Sequence, residues 1–216
     1  MIDLHTHTFF SDGELVPAEH LRRVEVLGYE AVAITDHADS SNLDFIVPRI
    51  VQAAKDLNKH SATTLLPGIE LTHVPPALIA ELTVKARQLG ALIVVCHGET
   101  IVEPVKEGTN RAAIDAGVDI LAHPGFISED EVLLAAQKGI FLELSGRKGH
   151  SLTNGYVAGI AKKHGAKLVV NADAHGPGDF LTSKMAEMVA LGAGLTDADY
   201  TQIRQNMSEL VNKAKS

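Results

Sequence analysis

Short apolar runs alternate with stretches of helical period along almost the whole chain. Seven runs of strand length predict buried strands: MIDLH, YEAVAIT, ATTLLPGIE, ALIVVCH, VDILAH, IFLELS and KLVVNAD. Several of the stretches between them open with Pro, Asn or Asp and close on Gly, as helices tend to. Two further helical stretches, at 182–192 and 197–214, follow the last run. This alternation predicts parallel strands joined by right-handed helical crossovers.

The number of strand–helix units narrows the fold class. Seven units in 216 residues, without a glycine-rich nucleotide fingerprint after the first strand, favour an incomplete α/β barrel over a doubly wound sheet. We expect one domain over residues 1–216, because no linker or composition break interrupts the pattern. Two loops, LTHVPP and HGETIVEPVKEGTN, are longer than tight turns, and long loops on such scaffolds usually carry binding groups.

Composition excludes several classes of partner and compartment. The formal charge is −8 with no basic block, which makes duplex nucleic acid an unfavourable partner and favours small ligands. The single cysteine, Cys96, is typical of a reducing compartment, so we expect a cytoplasmic protein. The chain shows no signal-peptide pattern and no run near the ~20 apolar residues that a membrane span needs.

Titratable side chains stand where the predicted strands end. His5 and His7 are one residue apart, so both side chains point to the same face of the first strand. Parallel barrels assemble their active sites at the carboxyl ends of strands, so groups at these positions should converge. The other strands end on His37, Glu70, His97, His123 and the pair Asp173 and His175.

These eight side chains predict a metal site with more than one ion. Imidazoles together with a few carboxylates suit Zn, Mn or Fe, and eight ligands exceed what one four- to six-coordinate ion can use. Titratable groups are costly to bury at apolar strand ends unless they are paired or bound to metal. We therefore expect at least two divalent ions.

Four motifs in this order resemble those of the polymerase and histidinol phosphatase (PHP) family. HTHTFFSDG is similar to its first motif, ITDHAD to its second, HGE with AHPG to its third and NADAH to its fourth, while Glu70 in PGIE matches a further metal carboxylate. The resemblance implies a distorted (β/α)7 TIM-like barrel with a trinuclear centre that hydrolyses phosphoesters. It assigns metal roles to the eight residues above and to Asp12, on which the third ion depends.

The implied reaction is hydrolysis of a small phosphomonoester by a metal-activated hydroxide. Histidinol phosphate, a sugar phosphate and a nucleotide are equally open as substrates. The catalytic candidates are Asp173, which would orient the attacking water, and His175. Arg147 is the first candidate for phosphate binding, because its planar fork can contact two phosphate oxygens. The further candidates for substrate contact are Lys148, His150, Arg111, His73 and Glu99.

Other functions stay open at this point. A 3′–5′ exonuclease or nucleotide phosphodiesterase fits the family, although the chain lacks a basic stripe and has few aromatic residues for base stacking. An amide or lactone hydrolase could use the same activated water on carbon. A non-catalytic binding module could use the barrel as a scaffold, but a decayed site should show missing ligands. Among supporting residues, Glu143 could reach the site, whereas His20, His60 and His164 are expected at the surface.

Overall fold

Parallel strands form a nearly closed ring in the computed structural model, which describes residues 1–215. The strands are β1 (Ile2–Asp3), β2 (Ala31–Ile34), β3 (His37–Ala38), β4 (Thr64–Leu71), β5 (Ile93–His97), β6 (Ile120–Ala122), β7 (Phe141–Ser145) and β8 (Leu168–Asn171). Neighbouring strands follow the order β1-β2-β4-β5-β6-β7-β8, and the two-residue strand β3 pairs with β4. Every pair of strands is parallel, as the alternation of apolar runs with helical stretches predicts.

Eight helices in residues 1–215 surround this ring. Local sequence signals set their ends: Ser128 begins one helix with a capping box to Glu131, and Gly139 ends it with a φ of 70°. None of the helices in residues 1–215 is long and apolar enough to cross a membrane. The helices are α1 (Pro17–Val26), α2 (Leu43–Leu57), α3 (Pro76–Gln88), α4 (Thr109–Ala116), α5 (Glu129–Lys138), α6 (Asn154–His164), α7 (Ser183–Gly192) and α8 (Asp197–Lys215).

The ring closes where β8 meets β1. The amide of His7 donates to the carbonyl of Ala174 at 2.8 Å, and the amide of Asp173 donates to the carbonyl of His5 at 3.0 Å. A side chain continues this seam: Asn171 Oδ1 accepts from the amide of Leu4 at 2.9 Å. The first and last strands are therefore joined at the end of the ring where the titratable residues follow.

Apolar side chains fill the space between the ring and the helices. Large side chains such as Ile34, Ile46, Ile69, Ile79 and Ile114 are fully buried there. Removal of this much apolar surface from water is the main stabilising contribution in such a layered fold. The core thus fixes the strands, and the strands fix where their carboxyl ends lie.

The structure confirms the barrel, its seven main strands and all eight helical stretches. It adds the short strand β3 and a 3₁₀ turn at His150–Thr153, both too short for a periodic pattern. The expected surface position of His20 is wrong: only 1% of this residue is exposed, and its ring packs edge-on against Phe180 at 4.8 Å. Its charged neighbours on α1 point away from the face that packs on the core.

Replacing Asn171 with Ala should lower the free energy of unfolding by about 1 to 3 kcal/mol. The variant removes the partner of the Leu4 amide and a 2.9 Å hydrogen bond from Asn171 Nδ2 to Glu143 Oε2. Urea unfolding followed by circular dichroism measures the change. Asn212→Ala, at an exposed position of α8, is the control and should shift stability by less than about 0.5 kcal/mol. Equal values for the two variants would show that the seam does not depend on Asn171.

Candidate metal centre

The residues that follow the strands converge at one end of the ring. Groups of three or four His, Asp and Glu side chains have their ligand atoms within 4.8 Å of one another. Together these groups contain all nine ligands suggested by the motifs: His5, His7, Asp12, His37, Glu70, His97, His123, Asp173 and His175. Strand register explains the convergence, because side chains two residues apart share one face and parallel strands end together.

The inner group lies directly above the barrel interior. His5 Nε2 is 3.3 Å from Glu70 Oε1, and His7 Nε2 is 3.1 Å from Asp173 Oδ1. His123 Nε2 approaches the other oxygen, Asp173 Oδ2, at 3.7 Å. All five residues are buried, so no bulk water is available to solvate their polar atoms.

An outer group surrounds Asp12, which the loop after β1 supplies. Asp12 Oδ1 is 3.2 Å from His175 Nε2 and 3.4 Å from His37 Nε2. The ring of His7 stacks on that of His175 at a centroid distance of 4.1 Å, which joins the outer group to the inner one. This arrangement offers a cation position that is closer to solvent than the inner group.

The Asp12 loop is held in place by Asp36, a residue of the ITDHAD motif. Its carboxylate accepts hydrogen bonds of 2.7 Å from the amide and hydroxyl of Thr8 and from the hydroxyl of Ser11. Gly13 lets the loop fold back on itself, because a Cβ there would lie only 2.6 Å from the His7 carbonyl oxygen. The SDG turn is thus required to bring Asp12 to the histidines.

A third group consists of imidazoles on the opposite side. His97, His123 and His150 have ligand atoms within 4.8 Å of one another. The ring of His150 stacks on that of His123 at 4.0 Å, and His150 Nδ1 hydrogen-bonds to the Thr100 hydroxyl at 2.8 Å. The 3₁₀ turn after β7 therefore adds an imidazole to the groups formed at the strand ends.

Hydrogen bonds at Nδ1 orient several of the imidazoles. His5 Nδ1 lies 2.7 Å from Glu143 Oε2, His37 Nδ1 lies 2.7 Å from the Thr72 hydroxyl, and His97 Nδ1 lies 3.1 Å from the Gly98 carbonyl oxygen. In each case Nε2 points into the cluster, and His37 Nδ1 is in addition 2.5 Å from Glu70 Oε2 of the inner group. Histidines that bind metals use one ring nitrogen for the metal and the other for such a partner. Glu143 therefore supports the site from the barrel interior, as its position on β7 suggests.

Unpartnered polar atoms show that these residues fit divalent metal ions. Within residues 1–215, a set of fully buried atoms has no hydrogen-bond partner although they face one another. Buried polar atoms in proteins are almost always bonded, and imidazole nitrogen with carboxylate oxygen is a donor set suited to Zn, Mn or Fe. The atoms at the inner group are His5 Nε2, His7 Nδ1, His7 Nε2, Glu70 Oε1, His123 Nδ1 and Asp173 Oδ1.

Burial and neighbouring charges shift the pKa values of these groups in both directions. Burial holds the pKa of His7 and of His123 well below the ordinary histidine value, and neighbouring histidines lower both further. Burial also acts to lower the pKa of His5 and of His37, but the facing carboxylates, among them Glu70, outweigh it and raise both. Burial and the charge of Glu70 raise the pKa of Asp173. Metal binding requires neutral imidazole and ionised carboxylate, so two of the histidines are already in the binding form. Cations would stabilise the ionised form of Asp173.

The structure brings three of the proposed substrate contacts to this cluster. Arg147 Nη1 lies 2.7 Å from His175 Nδ1 and donates to the Asp173 carbonyl at 3.2 Å. His150 lies in the third group, and His73 lies beside His97 with ring centroids 5.1 Å apart. Lys148 is exposed, without an ion pair in the described part of the chain.

Two proposed contacts lie elsewhere. Arg111 is exposed and pairs with Asp115, one turn along its own helix, at 2.8 Å. The Glu99 carboxylate instead accepts from the amide of Asn110 at 2.9 Å, in the first turn of α4. Free backbone amides at a helix start attract such a carboxylate, and this interaction draws Glu99 away from the role we expected.

Glu103 is a residue of the site that sequence reasoning missed. It belongs to the long loop HGETIVEPVKEGTN, and its Oε2 lies 3.1 Å from His97 Nε2. The length of that loop was the one available signal. Because a loop has no register, the sequence did not show which of its side chains turns inward.

A parallel α/β barrel with clustered imidazoles and carboxylates at its carboxyl end defines a class of metal-binding barrel proteins. Sequence comparison identifies the group within this class. The PHP domain model matches residues 3–156. The chain is also 50% identical to an uncharacterized protein of Methanocaldococcus jannaschii over 199 residues, which cover 91% of each chain. The chain therefore belongs to the PHP domain family.

More distant relatives and solved structures agree with this assignment. A protein of Clostridium botulinum named probable phosphatase is 26% identical over 200 residues, covering 81% of this chain and 79% of that protein. A chain in archaeal ribonuclease P with mature tRNA has a TM-score of 0.74 at 16% identity, covering 99% of this chain and 91% of that one. A candidate histidinol phosphatase of Listeria monocytogenes has a TM-score of 0.58 at 13% identity, covering 85% and 98%. These likenesses at low identity confirm the barrel fold.

Divalent metal should stabilise this protein, and His7 should be required for most of the effect. Mn²⁺ or Zn²⁺ at about 100 times its Kd adds about 2.7 kcal/mol per occupied site, which raises Tm relative to protein with chelator. His7→Ala should lose most of that rise, because His7 belongs to the inner and the outer group. His60→Ala is a control at an exposed position. The assignment is wrong if metal raises Tm equally in the two variants.

Proposed function

We propose that this protein is a metal-dependent phosphatase that hydrolyses a small phosphomonoester. The proposal rests on a cationic side chain beside the metal-binding groups: Arg147, whose guanidinium contacts both His175 and Asp173. A phosphomonoester is a dianion, and a guanidinium next to divalent ions offers positive charge on two sides of it. The relatives named as phosphatases support the same class of reaction.

The residues of this chain have distinct tasks in such a reaction. Bound divalent ions would activate water and polarise the phosphoryl oxygen. Asp173 Oδ1 has no hydrogen-bond partner in residues 1–215, so this carboxylate can orient an attacking water and accept its proton. Arg147 would bind two phosphate oxygens through its planar fork.

His175 connects the metal-binding groups with the phosphate-binding arginine. Its Nε2 faces Asp12 at 3.2 Å, and its Nδ1 faces Arg147 at 2.7 Å. His175 Nδ1 also lies 3.0 Å from the Asp173 carbonyl oxygen, which can only accept, so Nδ1 carries the hydrogen and Nε2 presents a lone pair for a metal ion. Arg147 Nη1 donates to the same carbonyl at 3.2 Å. We therefore propose that His175 contributes to catalysis through its metal ligand position, and that the Asp173 carbonyl orients Arg147 beside it.

The alternatives differ from this proposal in the substrate they need. An exonuclease or nucleotide phosphodiesterase would bind a polyanionic strand, which a chain of formal charge −8 attracts poorly. An amide or lactone hydrolase would have no dianion to pair with Arg147. A binding module would not need a complete ligand set, and here all nine groups come together.

Phosphate release from a substrate panel tests the reaction class. The Mn²⁺-loaded protein should hydrolyse one member of a set containing histidinol phosphate, sugar phosphates and nucleotides better than short single-stranded DNA. Asp173→Asn should lower kcat/KM at least about a thousandfold, equal to about 4 kcal/mol of transition-state stabilisation. Asp44→Asn, exposed on α2, is the control. Phosphate release from no member, with turnover of an amide or lactone, would refute the proposal.

Arg147→Ala should reduce kcat/KM for the preferred phosphomonoester about 10- to 100-fold, because a bidentate contact to the phosphate is lost. Arg147→Lys should recover part of this loss through charge alone. Arg111→Ala is the matched control, since Arg111 pairs with Asp115 on α4. Steady-state kinetics on the three variants measure the effect. Equal kinetics of the Arg147 and Arg111 variants would remove Arg147 from the site.

A further inference from the structure

Glu103 and His73 lie beside the metal centre but outside the nine residues that the motifs assign to it. Glu103 Oε2 is 3.1 Å from His97 Nε2 and 3.2 Å from His73 Nε2. Glu103 Oε1 is 3.4 Å from His150 Nε2. One loop carboxylate therefore faces three imidazole nitrogens, which come from the segment after β4, the last residue of β5 and the 3₁₀ turn after β7.

The hydrogen bonding of His97 shows that no hydrogen lies between its Nε2 and Glu103 Oε2. Its Nδ1 lies 3.1 Å from the Gly98 carbonyl oxygen, which can only accept, so Nδ1 carries the hydrogen. In the neutral ring Nε2 then presents a lone pair toward a carboxylate oxygen 3.1 Å away. Two acceptors at this distance repel each other. A cation between them would convert both atoms into ligands.

The backbone at His73 provides an independent observation. Within residues 1–215, three residues other than glycine have a positive φ: His73 (52°), His123 (28°) and Asp173 (52°). His123 and Asp173 are two of the nine candidate ligands. Strained backbone of this kind persists where the surrounding structure requires one side-chain direction. His73 shares this property with the ligands, and its side chain points to Glu103.

The loop that carries Glu103 contacts the segment after β7 and has a hydrogen bond of its own beside Glu103. The Thr100 hydroxyl hydrogen-bonds to His150 Nδ1 at 2.8 Å, and the amide of Val105 donates to the Glu103 carbonyl at 2.9 Å. Val102 packs beside Gly149, with 3.5 Å between Val102 Cγ2 and the place that a Cβ would take. The Glu103 side chain is 38% exposed, and these contacts keep its carboxylate oxygens within 3.4 Å of three imidazole nitrogens.

We propose that Glu103 and His73 are additional metal ligands, which complete the coordination of the divalent ion bound by His97. An imidazole lone pair binds a single ion, so the loop residues extend an existing position rather than create another one. Two imidazoles and a carboxylate at the rim would hold Zn²⁺ or Mn²⁺. The inference concerns metal binding alone and does not depend on the reaction proposed above.

Metal affinity of the Glu103 variant tests this inference directly. Competition titrations of the full chain with Zn²⁺ and Mn²⁺ against a chelator should show one ion bound at least tenfold more weakly in Glu103→Gln and in His73→Ala. The other ions should keep their wild-type affinity. Glu107→Gln is the matched control, because Glu107 is an exposed glutamate of the same loop.

Cobalt substitution gives a second readout that a purely structural role would not change. The visible absorption of bound Co²⁺ should differ between Glu103→Gln and wild type, because one carboxylate ligand is lost, and should be unchanged in Glu107→Gln. Circular dichroism of the metal-free variants checks that each one is folded. Identical metal affinities and Co²⁺ spectra for Glu103→Gln and Glu107→Gln would overturn the inference, whether or not the protein hydrolyses phosphate.

Discussion

The burial of facing imidazoles and carboxylates at one end of the barrel is the constraint on which the rest of the structure depends. Glu70 and Asp173 are both at most 2% exposed, and each lies within 4 Å of several histidines. Isolated charges in such surroundings cost several kcal/mol unless cations or hydrogen bonds compensate them. A few divalent ions can compensate these buried charges only if the fold brings all the carboxylates and imidazoles together in one place.

Ring closure and ligand orientation depend on the same hydrogen-bond network. Glu143 Oε2 accepts from Asn171 Nδ2 and contacts His5 Nδ1, while Asn171 Oδ1 accepts from the Leu4 amide. The seam between β8 and β1 thus reaches a candidate metal ligand through only two side chains. A distortion of the seam would rotate the imidazole of His5. A movement of that imidazole would in turn leave the Glu143 carboxylate partly unpaired in the core.

The sequence predicts the position of a side chain well where the residue belongs to or directly follows a strand, because the strand's pairing register fixes the direction of the side chain. His5, His7, Glu70 and Asp173 follow apolar strands, so the two-residue repeat and the parallel sheet place them together. The start of a helix near the rim suggests Arg111 as a substrate contact, and nearness to His97 in the chain suggests Glu99, but local partners on α4 hold both side chains. The loop that supplies Glu103 lacks any repeat, so its inward direction emerges only from contacts with distant segments.

The division between strands and loops explains why the family assignment does not identify the substrate. A slip of one residue in a strand would turn a ligand such as His5 to the opposite face, so the cluster can tolerate little change in register. Arg147 is held by the segment that follows β7, and the conformation of such a segment can change without moving the strands. Two barrels can therefore share a metal-binding end and differ in the groups that surround it. Fold likeness at 16% identity therefore shows the barrel and does not identify a substrate.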